Sequence, residues 1–433
     1  MTTNPPAGKA ALDKPTLVHA VPAANFWKLW SANIFSNLGD GLYQVILPLL
    51  AAQVTRSPAL VAGVGVMLSL PWLIFALPAD SIVDRFDRRQ IMLAVNGGRL
   101  IILFCLTLAI ATDFAVLPAL YIAALLLGIG ETLMDTSLTS IVPALVSREN
   151  LNWANARIAA AQTITNTFIA PPLAGYLAGI GFAIAAGSSA FLYAIAGFAL
   201  VLIRGRFGAS SGELTRTEQN TWGHLTEGLR FLWNDRLIRK LTLFTASMNF
   251  FWAGWGALIV LYAVIPGPMR LTEFEYGLLL TAMATGGLLG SMLCDRIQKS
   301  IGTRNALVLD FLGTIALVGA PALTANAWAV GAATFLAGFG ASIWVILVAT
   351  IRQRVVPNHL LGRVYSASRF ISWGVGPFGA ILAALVAEFF GIRVMFAMGG
   401  IASIGTLILF LGSFPNGTLD LLDKPTSQQL DNS

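Results

Sequence analysis

Charged residues are scarce in this chain. Asp, Glu, Lys and Arg make up 11% of its 433 residues, whereas 56% of the residues are hydrophobic. A soluble domain carries about 25% charged residues, so a water-soluble fold would have no way to keep this much apolar surface away from solvent. The composition therefore predicts a membrane protein whose apolar surface faces lipid.

Cysteine and histidine are also rare. The two cysteines, Cys105 and Cys294, fall in or beside apolar segments without the spacing of a disulfide framework or a metal site. The three histidines lie in polar connections, which excludes a histidine-based proton relay or metal site inside the membrane. Because a nucleophile–base pair and a cofactor motif are also missing, we expect no metal, no cofactor and no enzymatic activity.

The formal net charge of +6 is distributed very unevenly. Eighteen Lys and Arg residues fall in one alternate set of connections between apolar segments, and only Arg56, Arg270 and Arg393 fall in the other set. Lys and Arg accumulate in cytoplasmic loops, so the excess reflects membrane topology and not a nucleic-acid partner. We predict a multi-pass protein of the cell inner (plasma) membrane with both termini in the cytoplasm.

Twelve apolar segments are long enough to cross a bilayer, which takes about 20 residues each. They are centred near Gly39, Ser69, Ile102, Ile129, Ile169, Tyr193, Trp252, Thr285, Gly313, Gly338, Phe378 and Gly405. The predicted fold is an all-α membrane protein with twelve transmembrane helices in two pseudo-symmetric six-helix bundles. The predicted order is a cytoplasmic tail (1–25), an N-terminal bundle (26–203), a cytoplasmic linker with an amphipathic helix (204–236), a C-terminal bundle (237–414) and a cytoplasmic tail (415–433).

The two predicted bundles resemble each other in sequence. Asp84-Arg85 follows the second segment, and Asp295-Arg296 follows the eighth, 211 residues later. The stretch from Val146 to Leu151 aligns with the stretch from Val356 to Leu361 at an offset of 210. Duplicated halves that enclose a site near the bilayer midplane are typical of secondary transporters.

Three acidic residues lie near the middle of predicted spans: Asp40 in the first, and Glu131 and Asp135, one turn apart, in the fourth. A charge at the bilayer centre costs about 2.5–3.5 kcal/mol on insertion scales, so such acids mark transport pathways. Repulsion between two carboxylates one turn apart, together with their removal from water, favours a bound proton. The three acids are candidates for proton coupling or substrate contact; the alternative is permanent structural pairing, for instance with Arg99.

Two further charges occupy equivalent depths in the two bundles. Arg99 in the third segment and Asp310 in the ninth lie 211 residues apart. Arg99 is a candidate counter-charge for Asp40 or Asp80, whereas Asp310 has no obvious partner in the sequence. We expect structural roles for both residues.

The loop from Leu77 to Arg89, with the sequence LPADSIVDRFDRR, resembles the signature loop of the major facilitator superfamily. Stretches 37–40, 227–233 and 356–364 resemble the drug–proton antiporter branch that contains the enterobactin exporter and macrolide efflux pumps. The resemblance implies proton-driven export of amphiphilic molecules. The arginine that this superfamily usually carries in span four is absent, so the resemblance leaves open a relay built from Asp40, Glu131 and Asp135.

The resemblance also implies a cytoplasmic gate. In the superfamily the acidic–basic set of the signature loop latches the two halves together; here that set comprises Asp84, Arg85, Arg88 and Arg89. Asp80 stands where the superfamily usually has glycine. We hypothesise that Asp80 pairs with Arg369 of the eleventh segment across the two halves.

The sequence therefore predicts a secondary active transporter. The favoured function is proton-coupled export of amphiphilic small molecules, such as drugs or siderophores, by alternating access. The alternatives are a transporter or flippase of lysophospholipids or similar lipids and, in another class, a non-transporting receptor on the same fold. The expected partners are the substrate, protons and membrane lipids, and the expected state is a monomer.

Overall fold

The computed structural model describes residues 23–205, 207, 221–357, 359–415 and 419, and these residues form an almost entirely helical protein. Nine helices in these ranges are long and apolar enough to cross a membrane. One of them, Glu273–Leu323, has 51 residues, a length of about 77 Å at 1.5 Å per residue, against a hydrocarbon core of about 30 Å. It breaks at Gly302, where φ is 80° and ψ is 160°, and therefore crosses twice.

Two more crossings are built from shorter pieces. Span 2 consists of Pro58–Ile74 and Ala76–Arg85. Span 5 consists of Leu151–Gln162, a π-helical turn at Thr163–Ile169 and Ala170–Ile180. The π-turn immediately precedes Pro171 and Pro172, which have no amide hydrogen for the carbonyls one turn back, so the regular α-helical ladder cannot continue there.

The described residues thus contain twelve spans, and each centre predicted from the sequence lies within one of them. The remaining bounds are Ala23–Val54 for span 1, Arg88–Ala111 for span 3, Val116–Leu145 for span 4, Phe182–Val201 for span 6, Arg236–Ala263 for span 7, the two parts of Glu273–Leu323 for spans 8 and 9, Ala327–Val355 for span 10, Leu361–Gly374 with Gly376–Phe390 for span 11, and Ile392–Ser413 for span 12.

A helix at Thr221–Asn234 precedes span 7 and coincides with the predicted amphipathic linker helix. Leu232 is fully buried in a small core with Val364 and Ala367 of span 11. Gly228 lies directly against the backbone of Arg363, and the guanidinium of Arg363 pairs with Glu227. The apolar side of this helix therefore packs on the second half of the protein. Of the predicted tails, 1–25 and 415–433, residues 1–22 and most of 415–433 lie outside the described residues, and span 1 already begins at Ala23.

The spans end at two faces. The basic face carries the connections after spans 2, 4, 6, 8 and 10, and the opposite face carries the connections after the odd-numbered spans. Near the opposite face one hydrophobic core joins both halves, for example Leu47 with Leu258. Near the basic face the core divides into one cluster around Leu138 and another around Phe410. The two halves are thus packed together at the opposite face and keep separate cores at the basic face.

Candidate functional site

Asp40 in span 1 lies in a buried ion pair. Arg99 of span 3 donates from Nη1 to Oδ1 of Asp40 at 2.9 Å, and the Tyr193 hydroxyl of span 6 donates to the same oxygen at 2.6 Å. Asp40 is 5% exposed and Arg99 is 1% exposed. A carboxylate buried this deeply needs a counter-charge and hydrogen bonds to remain ionised, and the two neighbouring spans supply both. In this conformation Asp40 is paired with Arg99; whether it also titrates stays a prediction.

Arg99 reaches Asp40 through a gap in span 4. A Cβ atom on Gly130 would lie 3.0 Å from Nε of Arg99, so the missing side chain at Gly130 makes room for the guanidinium. Nη1 also donates to Ser36 of span 1 at 3.3 Å. Nε and Nη2 are buried and make no hydrogen bond to the residues that the structure describes. Arg99 therefore ties spans 1, 3 and 4 together at the depth of Asp40.

Glu131 in span 4 is held differently. Its Oε2 accepts a hydrogen bond of 2.8 Å from the Tyr43 hydroxyl, and its Oε1 accepts one of 3.2 Å from Nε2 of Gln44. Tyr43 is fully buried, so one donor is fixed by packing. Glu131 itself and Asp135, one turn further along, are only partly buried. Glu131 and Asp135 therefore keep part of their surface exposed, whereas Asp40 is buried.

These partners were not identified in the sequence. Tyr43, Gln44 and Tyr193 are uncharged, and an uncharged polar residue in an apolar segment interrupts its hydropathy far less than a carboxylate does. The available signal was spacing: Tyr43 and Gln44 follow Asp40 by three and four residues, on the same side of span 1. Within the described residues no group of three or more His, Cys, Asp or Glu side chains is arranged to hold a metal ion.

Arg88 and Arg89 of the signature loop bond to their own half in this conformation. Arg89 donates to the carbonyl oxygens of Leu200 and Val201 at 3.1 and 2.9 Å, and Arg88 donates to that of Phe207 at 3.0 Å. The last carbonyls of a helix have no partners within the helix, so the end of span 6 is a natural acceptor for these cations. Asp84 and Arg85 lie at the end of span 2. A latch made by this set between the two halves stays a prediction.

Arg369 contacts the other half through an aromatic ring. Its guanidinium carbon lies 5.5 Å from the ring centroid of Trp72 in span 2 and 5.4 Å from that of Trp373 in its own span. Both distances are within the range of cation–π attraction. The side chain of Asp80 lies outside the described part of the chain, so the hypothesis of an Asp80–Arg369 pair stays a hypothesis.

Asp310 stands apart from the acids of the first half. It is 3% exposed in span 9, packed against the backbone of Gly340, and its Oδ1 has no hydrogen-bond partner among the described residues. Nor does Asp310 form an ion pair with any residue that the structure describes. It thus occupies the depth of Arg99 in the second half without a comparable network.

The sequence also places the chain among known proteins. Residues 20–430 match the family described as transmembrane secretion effector. The chain belongs to this family. The family is a branch of the major facilitator superfamily, so the superfamily predicted from the signature loop is confirmed. The members of the family are transporters and not enzymes.

The relatives of this transporter are named as exporters. It is similar to the enterobactin exporter EntS of Shigella boydii serotype 4 (strain Sb227), with 26% identity over 394 residues that cover 89% of this chain and 91% of the relative. The enterobactin exporter EntS of Escherichia coli O9:H4 (strain HS) is 25% identical with the same coverage.

Solved structures confirm the fold. The nucleoside transporter NupG superposes with a TM-score of 0.71 at 13% identity, covering 90% of this chain and 99% of its own. A bacterial homologue of the iron transporter ferroportin, in an inward-facing state, has a TM-score of 0.68 at 16% identity and covers 90% of this chain and 98% of its own. The transporter is a multi-pass membrane protein with twelve helices in two bundles, as predicted.

Proposed function

We propose that this transporter is a proton-coupled exporter of amphiphilic small molecules that works by alternating access. The observation that carries the proposal is the state of Glu131, a partly exposed acid in the middle of span 4 whose two oxygens are held by Tyr43 and Gln44 of span 1. An intramembrane acid with access to the transport pathway is the usual place to bind a coupling proton. Asp135, one turn away on the same side, adds a second carboxylate, and repulsion between the two favours a bound proton.

Asp40 has a different role in this proposal. Its ion pair with Arg99 is buried, so we assign Asp40 to positioning span 1, which carries both donors to Glu131. The proton is exchanged at Glu131 and Asp135, and Asp40 keeps the donors in place. In this proposal the proton-coupling acids are therefore Glu131 and Asp135, without Asp40.

The orientation in the membrane follows from charge. We place the basic face and both termini on the cytoplasmic side of the inner membrane, because Lys and Arg are retained on that side. The joined core at the opposite face and the divided core at the basic face then correspond to a state that receives substrate from the cytoplasm. In this state Glu131 gives up a proton as substrate binds, and it is reprotonated from outside after release. The membrane potential adds about 2.3 kcal/mol per charge per 100 mV.

For the substrate we propose a siderophore or a molecule of similar amphiphilic character. The support is the name of the relatives, enterobactin exporter, over about nine tenths of both chains. If the halves separate at the basic face, such a molecule enters the site between them directly from the cytoplasm.

The test is proton release on substrate binding. Purified transporter in weakly buffered detergent solution is mixed with enterobactin, and a pH-sensitive dye reports protons released from wild type, Glu131→Gln and Asp135→Asn. We expect protons to be released from the wild type when enterobactin is added, and far fewer from Glu131→Gln. The matched control is Asp310→Asn, which removes a buried acid outside the site and should release as many protons as the wild type.

Two results would contradict the proposal. If Glu131→Gln and Asp135→Asn both release as many protons as the wild type, the coupling site is elsewhere. If lysophosphatidylcholine triggers release and enterobactin does not, the substrate class is wrong although the coupling site stands.

A further inference from the structure

Glu388 lies near the end of span 11 at the opposite face, where it meets the beginning of span 2. Its Oε2 accepts a hydrogen bond of 2.8 Å from the Ser57 hydroxyl and one of 3.1 Å from the backbone N–H of Ala59. The partners are about 330 residues away in sequence, and they belong to the other half of the transporter. One carboxylate oxygen thus joins the two halves by two hydrogen bonds.

The first turn of span 2 is chemically suited to hold this carboxylate. Ser57 is the N-cap residue, and its Oγ accepts from the N–H of Leu60 at 3.4 Å. Pro58 has no amide hydrogen, so Ala59 provides the first free N–H of the helix. The amides of a first helical turn have no partners within the helix, and the helix dipole attracts a negative charge there. Glu388 therefore completes the N-terminal cap of a helix in the other half.

Other contacts between the halves surround this cap. Arg56 donates to the carbonyl oxygen of Ile265 at 3.3 Å. Gly175 of span 5 packs directly on the backbone of Glu273, and Gly277 of span 8 packs on that of Pro171. The two glycine contacts depend on close backbone packing, whereas Arg56 and Glu388 are exposed charged side chains that hydrogen-bond the other half. Glu388 differs from Arg56 because it accepts two hydrogen bonds and caps a helix of the other half.

We propose that Glu388 is a gating residue: its charge holds the opposite face closed by capping span 2, and it must leave this cap whenever the halves separate at that face. A gate of this kind has a defined consequence. The contact exists only in the state that is closed at the opposite face. It therefore stabilises that state relative to the open state by the free energy of the contact. The inference does not depend on the coupling role of Glu131.

The experiment measures the separation of the halves directly. Cys105 and Cys294 are replaced by serine, and spin labels are attached to cysteines introduced at Phe114 and Leu323. These positions lie at the opposite face on different halves and are 75% and 89% exposed. Pulsed electron resonance on the labelled transporter in lipid nanodiscs then gives the distance distribution between the halves.

Glu388→Gln keeps the shape of the side chain and removes its charge. We expect the ratio of open to closed populations to rise about tenfold, because a hydrogen bond to a charged group contributes enough for a change of that size. Glu388→Ala should give a rise at least as large. Ser57→Ala, which removes one of the two donors, should give a smaller rise in the same direction.

Glu275 provides a matched control at the same face. Its carboxylate caps a helix in the same manner, since Oε2 accepts from the backbone N–H of Thr272 at 2.8 Å and from the Thr272 hydroxyl at 3.0 Å, but both partners lie in its own half. Glu275→Gln should leave the distance distribution unchanged. An unchanged distribution in Glu388→Gln, or an equal shift in Glu275→Gln, would overturn the proposal.

Discussion

Span 3 carries Arg99 and span 9 carries Asp310 at positions 211 residues apart, and each of them packs against a glycine of the following span. A Cβ atom on Gly130 would lie 3.0 Å from the side-chain Nε of Arg99, and one on Gly340 would lie 2.6 Å from the backbone Cα of Asp310. The two glycines are themselves 210 residues apart. Equivalent glycines thus allow a close approach in both halves, to a side chain in the first half and to the backbone in the second, and the two residues approached have opposite charge.

The surroundings of the two residues differ as well. Arg99 belongs to a network of charged and hydroxyl groups that reaches Asp40 and Tyr193. The second half packs aromatic rings near its basic face, with Phe311 and Phe410 at 4.7 Å between centroids. Both halves thus bury a charged residue at this depth, and they differ in its partners. Among the described residues, Arg99 has an ionic partner and Asp310 has none.

The largest effect is expected from breaking the ionic network. Arg99→Met leaves Asp40 buried without its counter-charge, which should lower the free energy of unfolding by about 3–5 kcal/mol. Thermal unfolding in detergent, followed by tryptophan fluorescence, measures the loss. The double variant Arg99→Met with Asp40→Asn should recover most of the stability, because both charges are then gone. Equal stability of Arg99→Met and the wild type would show that the pair is not buried as described.

A second test compares the helix contacts that the halves share. Gly128 and Gly338 are equivalent, and a Cβ atom at Gly338 would overlap the carbonyl oxygen of Met283, whereas one at Gly128 would lie 2.6 Å from that of Leu68. Alanine at either position should cost about 1–3 kcal/mol, with the larger loss at Gly338. Gly97→Ala is the control, since a Cβ there meets nothing within 4 Å. A loss of stability in Gly97→Ala as large as in Gly338→Ala would argue against a packing effect.

The sequence was sufficient for the spans and for the acids, and insufficient for their partners. Twelve apolar segments are visible because a carboxylate or a long polar connection interrupts hydropathy strongly, and for the same reason Asp40 and Glu131 were noticeable within them. Tyr43 and Tyr193 became partners only once span 1 was placed against spans 4 and 6. No periodicity within one helix specifies which neighbouring helix its face will meet.

The signature loop teaches a related lesson. Its motif is a resemblance and predicts a latch, but the bonds of Arg88 and Arg89 in this conformation follow from a simpler rule, that free carbonyls at a helix end attract cations. The hypothesis that Arg369 pairs with Asp80 stays open, and among the described residues of the other half Arg369 lies over the ring of Trp72. A cation can be attracted by an aromatic ring as well as by an acid, so charge alone does not specify its partner.

A smaller effect separates the closed pair from the accessible acid. Tyr193→Phe removes a buried hydrogen bond to Asp40 and should cost about 1 kcal/mol of stability without altering proton release. Tyr43→Phe removes a hydrogen-bond donor from Glu131, which is partly exposed. It should reduce proton release, and it should reduce the free energy of unfolding less than Tyr193→Phe does. Unfolding and proton release measured on both variants give the comparison. The division of roles between Asp40 and Glu131 would be wrong if Tyr193→Phe changed proton release as much as Tyr43→Phe.

The smallest effect is expected at Asp310, the counterpart of Arg99. Asp310→Asn keeps the volume of the side chain, and no described residue loses an ionic partner, so the free energy of unfolding should change by less than about 0.5 kcal/mol. Asp40→Asn removes a buried acid in the same way but leaves Arg99 without its counter-charge, and it should cost several times more. The same unfolding measurement compares the two. A loss of stability in Asp310→Asn as large as that in Asp40→Asn would contradict this expectation. It would mean that Asp310, like Asp40, has ionic partners in its own half.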